Sequence, residues 1–553
     1  MKHTKRLFLA AALAVLGLAA VGRTRAAGPP LMPLQPKRAT PARHLLVADV
    51  RYLPQAQQLM LASLQGLVNR SKPRLYLVGG DDDVFWLKVM QEQGDTDYPK
   101  TVEDPMSLLQ TFKSAYKGAV VADPNVYVSP CVAVSVAGAN DLLIATPELA
   151  AKYNIPIKAD LRGRFKDDAD ALKFVRTTLL PRMNPRLSLC LVPRLLGLQV
   201  DDIIAAKGMC FWVTGPNEQS KPGANGAAEK AEVETLFLAT PTDGIVRGYW
   251  WAGDGTGLGE MEGVRLASRY GKITTVSDYV SNFSVMSGVT QKALKQKPAL
   301  PVPKLDPTKV YVALTMSDGD NLVTYRGFWR GYFDDPLHGT FPLGYGMAPT
   351  LIDLAPTMAR WYYEHAAPTD EFFCDVSGAG YIYPPDWATA LPNRDVAFED
   401  YWDLTQTYMD RMDLRGLRIM GFDTNPMRDT IAAVGADLPK VPFLLPDYGP
   451  RGSKTYPEAT YTLPTGQSVF RAVAYDGGGE KLAQSVRDRV GSVRPAFVNA
   501  FIQNWGARPS DLKKMLDTLG PDYVAVTPSQ LDGLYRQSQK AAQGTSPVAQ
   551  RLK

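Results

Sequence analysis

From residue 309 onward the chain alternates short apolar runs with amphipathic stretches, and this alternation restricts the fold more than any other feature of the sequence. Apolar runs of strand length fall at 310–316, 343–347, 372–375, 417–422, 442–445, 468–474, 496–502 and 523–526. Helical periodicity occupies the intervals 354–364, 400–412, 481–490 and 509–519. A strand that is apolar at every position is buried on both faces, which is the situation of parallel strands covered by helices. Repeated units of this kind predict a C-terminal (β/α)7–8 barrel-like domain over residues 306–536, followed by a polar tail at 537–553.

The preceding chain is also α/β. A strand at 44–50, a helix at 53–69 and a strand at 73–78 begin it, and similar signals continue to a proline-rich boundary at 296–307. Two smaller α/β domains are expected, at 28–154 and 155–305. Residues 1–27 read as a signal peptide: Lys2, Lys5 and Arg6 precede an apolar run at 7–21, and small residues Ala20, Gly22, Ala26 and Ala27 follow. A retained anchor is the second reading of that segment. No later run reaches the ~18 apolar residues of a spanning helix, so a secreted or periplasmic protein without stable membrane insertion is expected. The net charge of +5 arises from 61 basic and 56 acidic residues without a long basic run, which gives no reason to expect nucleic acid as a partner. Cys131, Cys190, Cys210 and Cys374 lie in apolar surroundings and read as buried thiols, with Cys190–Cys210 the most plausible bridge.

In a parallel barrel the reacting groups sit at the C-terminal ends of the strands. Those ends carry Asp318 and Asp320, then Asp375, Asp423, Asp447 and Asp476, and finally Asn504–Trp505. Some of these acids must cap the helices that follow. The segment Ser317-Asp318-Gly319-Asp320-Asn321 is the most heavily loaded, because crowded carboxylates raise one another's pKa and let a neutral acid coexist with an ionised base. Glycoside hydrolysis needs that division, and one of Asp318 and Asp320 is expected to pair with Asp375 or Asp423 across the mouth. A helix cap or a cation site is the competing reading of Asp318, Asp320 and Asn321. Histidine is scarce, with four in the chain, so a multi-histidine metal centre is not expected, nor is any cofactor: the glycine-rich stretches fit neither GxGxxG nor GxxxxGK. Tyr381, Tyr383, Trp329, Asn504 and Trp505 are the expected sugar contacts, since flat rings and amides suit the two kinds of pyranose surface.

The stretch Glu371–Asp386, EFFCDVSGAGYIYPPD, is a short strand running into a constrained aromatic loop. Gly378, Gly380, Tyr381, Tyr383 and Pro384 resemble the motif that names the GxGYxYP family. Ser317–Asn321, the closing stretch 523–528 and the N-terminal stretch 64–70, LQGLVNR, extend the resemblance over most of the mature chain. It implies an exported bacterial protein with a glycoside-hydrolase barrel acting on a carbohydrate. It supplies no catalytic pair, so the acids named above rest on the residues alone. Two other functions fit the same sequence. One is a non-catalytic glycan-binding protein, and the other is a metal-assisted deacetylase or phosphoesterase using Asp318, Asp320 and His338.

Overall fold

The computed structural model describes Leu34, Pro36 and residues 38–251, 254–420, 426–447, 454–476 and 478–544. The signal segment and Asp423 lie outside the described residues. Among the described residues, no helix is long and apolar enough to cross a membrane.

Among the described residues, three small parallel sheets precede the large one, where two smaller α/β domains were expected. The first places Leu46–Asp49 between Leu75–Val78 and Lys100–Val102. The second places Gly118–Val121 between Leu142–Ile144 and Ile157–Asp160. The third runs Ile273–Val276, Ile245–Gly248, Leu187–Cys190, Met209–Phe211. Cys190 and Cys210 sit on neighbouring strands of this sheet, yet all four cysteines are free and buried, so the expected bridge is absent. Burial pushes the Cys190 thiol well above its ordinary value, as expected of an inert core thiol.

The C-terminal sheet has ten strands. Val310–Met316 and Ala496–Ile502 form its spine, paired in parallel over all seven residues and buried throughout. Asn499 and Thr315 are polar positions within that spine, and Asn499 has its hydrogen bonds met. It accepts from Thr315 Oγ1 at 2.7 Å and donates to the Phe470 carbonyl at 3.1 Å, so its burial leaves no polar group unmet. From the spine the sheet continues through Leu343–Met347, Asp370–Cys374, Leu417–Ile419, Phe443–Pro446 and Ser468–Phe470, ending in the antiparallel Thr460–Thr462.

This is an open, curled half-barrel rather than a closed (β/α)7–8 ring. The run expected as one strand at 468–474 is broken at Arg471. Ser468–Phe470 pairs with Phe443–Pro446, whereas Ala472–Asp476 pairs with Ala496–Ile502 at the other end of the sheet. Arg471 is drawn toward the buried Asp447, with Nε at 2.5 Å from Oδ2 and Nη2 at 2.8 Å from Oδ1. Asp447 is thereby tied to an arginine at the break. The eighth strand, Tyr523–Ala525, does not extend the ladder either, because it pairs with the first half of Val310–Met316 while Leu343–Met347 takes the second half.

Candidate active site

Parallel strands bring their C-terminal ends to one rim, and the loops that leave Val310–Met316 and Asp370–Cys374 meet there. Asp318 follows the first strand in the left-handed region, φ +59°, a conformation that Asp tolerates better than most residues. Ser317 Oγ donates to its Oδ2 and accepts the Asn504 N–H at 2.8 Å, which anchors the turn to the spine. Gly319 N–H then donates to Asp375 Oδ2 at 3.2 Å. A Cβ on Gly319 would lie 2.0 Å from the Gly346 carbonyl, and one on Gly346 would lie 2.3 Å from Asp375 Oδ2. Glycine at both positions is what lets the Asp318–Asp320 turn sit directly over Asp375.

The motif loop is held by a different sheet. Tyr381 and Thr274 exchange backbone hydrogen bonds at 2.9 and 3.2 Å, and Val276 bridges to Asn321, so the strand Ile273–Val276 clamps both loops at once. The two motif glycines have separate physical reasons. Gly378 adopts φ +98°, and Gly380 faces Ile273 so closely that a Cβ would sit 2.5 Å from Ile273 Cγ2 and 2.9 Å from the Thr274 carbonyl. Gly380→Ala is therefore expected to cost about 1–3 kcal/mol by overpacking. Urea denaturation measures it, and an unchanged midpoint would show that the contact relaxes freely.

Docking of the third sheet brings in an acid that the sequence analysis did not select. Glu260, the first residue of the helix Glu260–Arg269, accepts from Tyr249 Oη at 2.9 Å and from Tyr381 Oη at 2.7 Å, one tyrosine on each oxygen. Tyr383 Oη lies 3.3 Å from Tyr381 Oη and continues the network. Burial, then the Glu260 charge, pushes the Tyr249 and Tyr381 hydroxyls upward, so both remain donors. Glu260, Asp318, Asp320, Tyr249 and Tyr381 line one narrow pocket with a water-accessible volume of about 20 Å³. It opens into a cleft of about 1130 Å³, solvent-facing space included, where Asp278, Tyr279, Phe328 and Trp505 form part of the wall.

The electrostatics of the pocket follow from crowding in a dry place. Burial lifts Asp320 well above the usual carboxylate value, and Asp318, Asp375 and Glu260 add repulsion. Asp375, fully buried, is pushed up to about 7 by burial, against the pull of Arg418 and the Gly319 N–H. The Arg418 guanidinium is itself fully buried, 3.8 Å from Asp375, and lies over the Phe501 ring. Asp278 in the adjoining cleft is raised to about 6 by burial.

The expected residues thus fall into three groups. Asp318, Asp320 and Tyr381 line the pocket, with Asp375 beneath it and Trp505 on the cleft wall. Tyr383 is buried behind Tyr381, its backbone N–H on Ser268 Oγ. Trp329 and Asn504 are core: Trp329 Nε1 donates to Asn504 Oδ1 at 2.7 Å, and Asn504 Nδ2 donates to Thr324 Oγ1 at 3.1 Å, which leaves neither a face toward a sugar. Asp423 lies outside the described residues. His338 lies far from the rim, bonded at 2.8 Å to Asp370, which begins the strand whose other end leads to Asp375, so Asp318, Asp320 and His338 are not brought together. Among the described residues, no group of three or more His, Cys, Asp or Glu has the arrangement to hold a metal ion.

A comparison with curated proteins finds no match. Among solved structures, "a putative hydrolase from Bacteroides thetaiotaomicron VPI-5482" is similar, with a TM-score of 0.78 and 22% identity, over 91% of this chain and 96% of that one. At that identity the likeness is one of fold. A "putative polysaccharide deacetylase from Mycobacterium smegmatis" overlaps 44% of this chain and 96% of its own at 10% identity and a TM-score of 0.30, too low to carry an argument. Family models describe four successive parts of the chain: a first domain at 44–114, a second at 116–183, a third at 185–288, and the "GxGYxYP putative glycoside hydrolase C-terminal domain" at 308–536. With the motif glycines and tyrosines placed as described, this chain belongs to the GxGYxYP family.

Proposed function

We propose that the protein is an exported glycoside hydrolase in which Asp320 is the proton donor and Glu260 the carboxylate facing it. The observation that carries this reading is the environment of Asp320: a buried carboxyl on the wall of a pocket, surrounded by three other acids. Such a group keeps its proton near neutral pH and can deliver it to the oxygen of a departing sugar. Glu260 has its orientation set by two tyrosine hydroxyls, and as a carboxylate it offsets positive charge growing at the anomeric carbon. Asp318 lines the same pocket and its charge opposes ionisation of Asp320. Asp375 is fully buried, is not among the residues lining the pocket and bonds to the turn that carries Asp318 and Asp320, so it positions rather than reacts.

The reading is tested by incubating the full chain with a panel of bacterial and plant polysaccharides and measuring new reducing ends. Release of reducing ends is expected, and Glu260→Gln is expected to lower it about 100-fold. Binding of a panel member with no release by the wild type would replace the hydrolase with the glycan-binding alternative. Unchanged release by Glu260→Gln would remove Glu260 from the mechanism.

A further inference from the structure

Tyr52, Tyr98, Tyr279, Phe328 and Trp505 are the large aromatic side chains that stand exposed among the described residues, and three of the five converge on the cleft beside the acids. Phe328 and Trp505, 45% and 43% exposed, meet edge to face with ring centres 4.5 Å apart. Exposed rings of this size lose apolar contact with protein and gain nothing from water, so their clustering marks a surface that a ligand covers.

The same two rings, with Val323, also line a second cleft of about 1030 Å³, solvent-facing space included. Its other walls carry Arg326, Tyr332 and the exposed Arg508. Arg326 is fixed there by donating to the Tyr279 carbonyl at 2.8 Å and by an ion pair with Asp83 at 3.3 Å, so the wall is rigid. Gly331 faces this cleft with open space where a Cβ would stand. The water-accessible volumes of the two clefts, about 560 and 520 Å³, fall within the size that holds a small ligand, roughly 300–1,000 Å³, and the two are in series.

We propose that the two clefts form one groove for a glycan chain, with the acids at one end, the Phe328–Trp505 pair as the stacking platform in the middle and Arg508 at the far end. The substrate class is then an oligo- or polysaccharide bound across several sugar units rather than a free disaccharide. This rests on the glycan reading of the same pocket, but its consequence is a dependence of affinity on chain length, which can be measured without turnover.

The probes are cello-, xylo-, manno- and chito-oligosaccharide ladders of increasing length, titrated calorimetrically into the Asp320→Asn protein. Affinity for at least one ladder is expected to rise with length, and Trp505→Ala is expected to weaken the long members about tenfold while leaving the shortest unchanged. Gly331→Phe starts from a Cβ position with no protein atom within 4 Å, projects a ring from the cleft wall and is expected to remove the same length-dependent gain. Affinity independent of length, no binding of any ladder, or equal loss for short and long members in Gly331→Phe would each overturn the groove. Length-dependent binding without turnover by the wild type would leave the groove standing and remove the hydrolase, whereas turnover with length-independent binding would do the reverse.

Discussion

Asp320→Asn is expected to lower turnover of the substrate by roughly 10²–10⁴-fold while leaving its binding nearly intact, the range typical of losing a positioned general acid. Asparagine keeps the shape and an acceptor oxygen but carries no proton to give. The accompanying pH profile is the sharper test. In the wild type the rate falls on the alkaline side as Asp320 ionises, and that limb lies above the ordinary carboxylate range because burial, Asp318, Asp375 and Glu260 all oppose ionisation. Removing a neighbouring charge by Asp318→Asn relieves part of the repulsion, so the same limb is expected at lower pH. Reducing-end assays across pH measure both effects. Turnover by Asp320→Asn equal to that of the wild type would exclude Asp320 as the donor, and an alkaline limb unmoved by Asp318→Asn would show that burial alone sets its position.

The parts of this arrangement that were legible in the sequence are those that depend on neighbouring residues. Val310–Met316 and Ala496–Ile502 are buried on both faces, so each is a continuous apolar run that announces a strand. The Asp318–Asp320 turn and the Gly378–Tyr383 loop stand at strand ends, where local composition carries the signal. What depends on tertiary approach left no such mark. The break at Arg471 arises from its pairing with Asp447 and from two registers that part company there, neither visible as a change in hydrophobicity. The strand Ile157–Asp160, IKAD, is largely exposed and has no apolar run, so the strand that completes the second small sheet carries no signal, and the sheet's other strands, at 119–122 and 142–145, read as part of the first domain. Glu260 was passed over because nothing near it in sequence hints that a different sheet delivers it to Tyr381. Its neighbours Trp250 and Trp251 are no guide to it, since Trp250 is core and Trp251 packs under the Arg194 guanidinium. Trp329 and Asn504 erred the other way: a ring and an amide at a strand end look like sugar contacts until their hydrogen bonds to the core are seen.

The buried acids also make a prediction about the whole fold, and its sign follows from protonation. Asp375 titrates at about 7 in the native protein, against an ordinary value near 4 in an unfolded chain. Between those two pH values the native state holds a proton that the unfolded state has released, so stability falls as pH rises through that window and levels off above it. The full span corresponds to on the order of 4 kcal/mol, and Asp320, raised by the same burial, acts in the same direction. Asp375→Asn cannot ionise and retains an acceptor for the Gly319 N–H at the Oδ2 position. Its new amide places N–H donors where Oδ1 has no hydrogen-bond partner, a cost of about 1–3 kcal/mol that does not change with pH. The variant is therefore expected to lie below the wild type near pH 4 and to gain on it as pH rises to 8, with a visibly flatter dependence between. Urea midpoints measured across that range decide the matter, and parallel curves for the two proteins would show that Asp375 does not hold its proton in the native state. A variant that is more stable near pH 8 yet turns over substrate more slowly would identify Asp375 as a group kept for the reaction at the expense of the fold, because it supports the turn bearing Asp318 and Asp320.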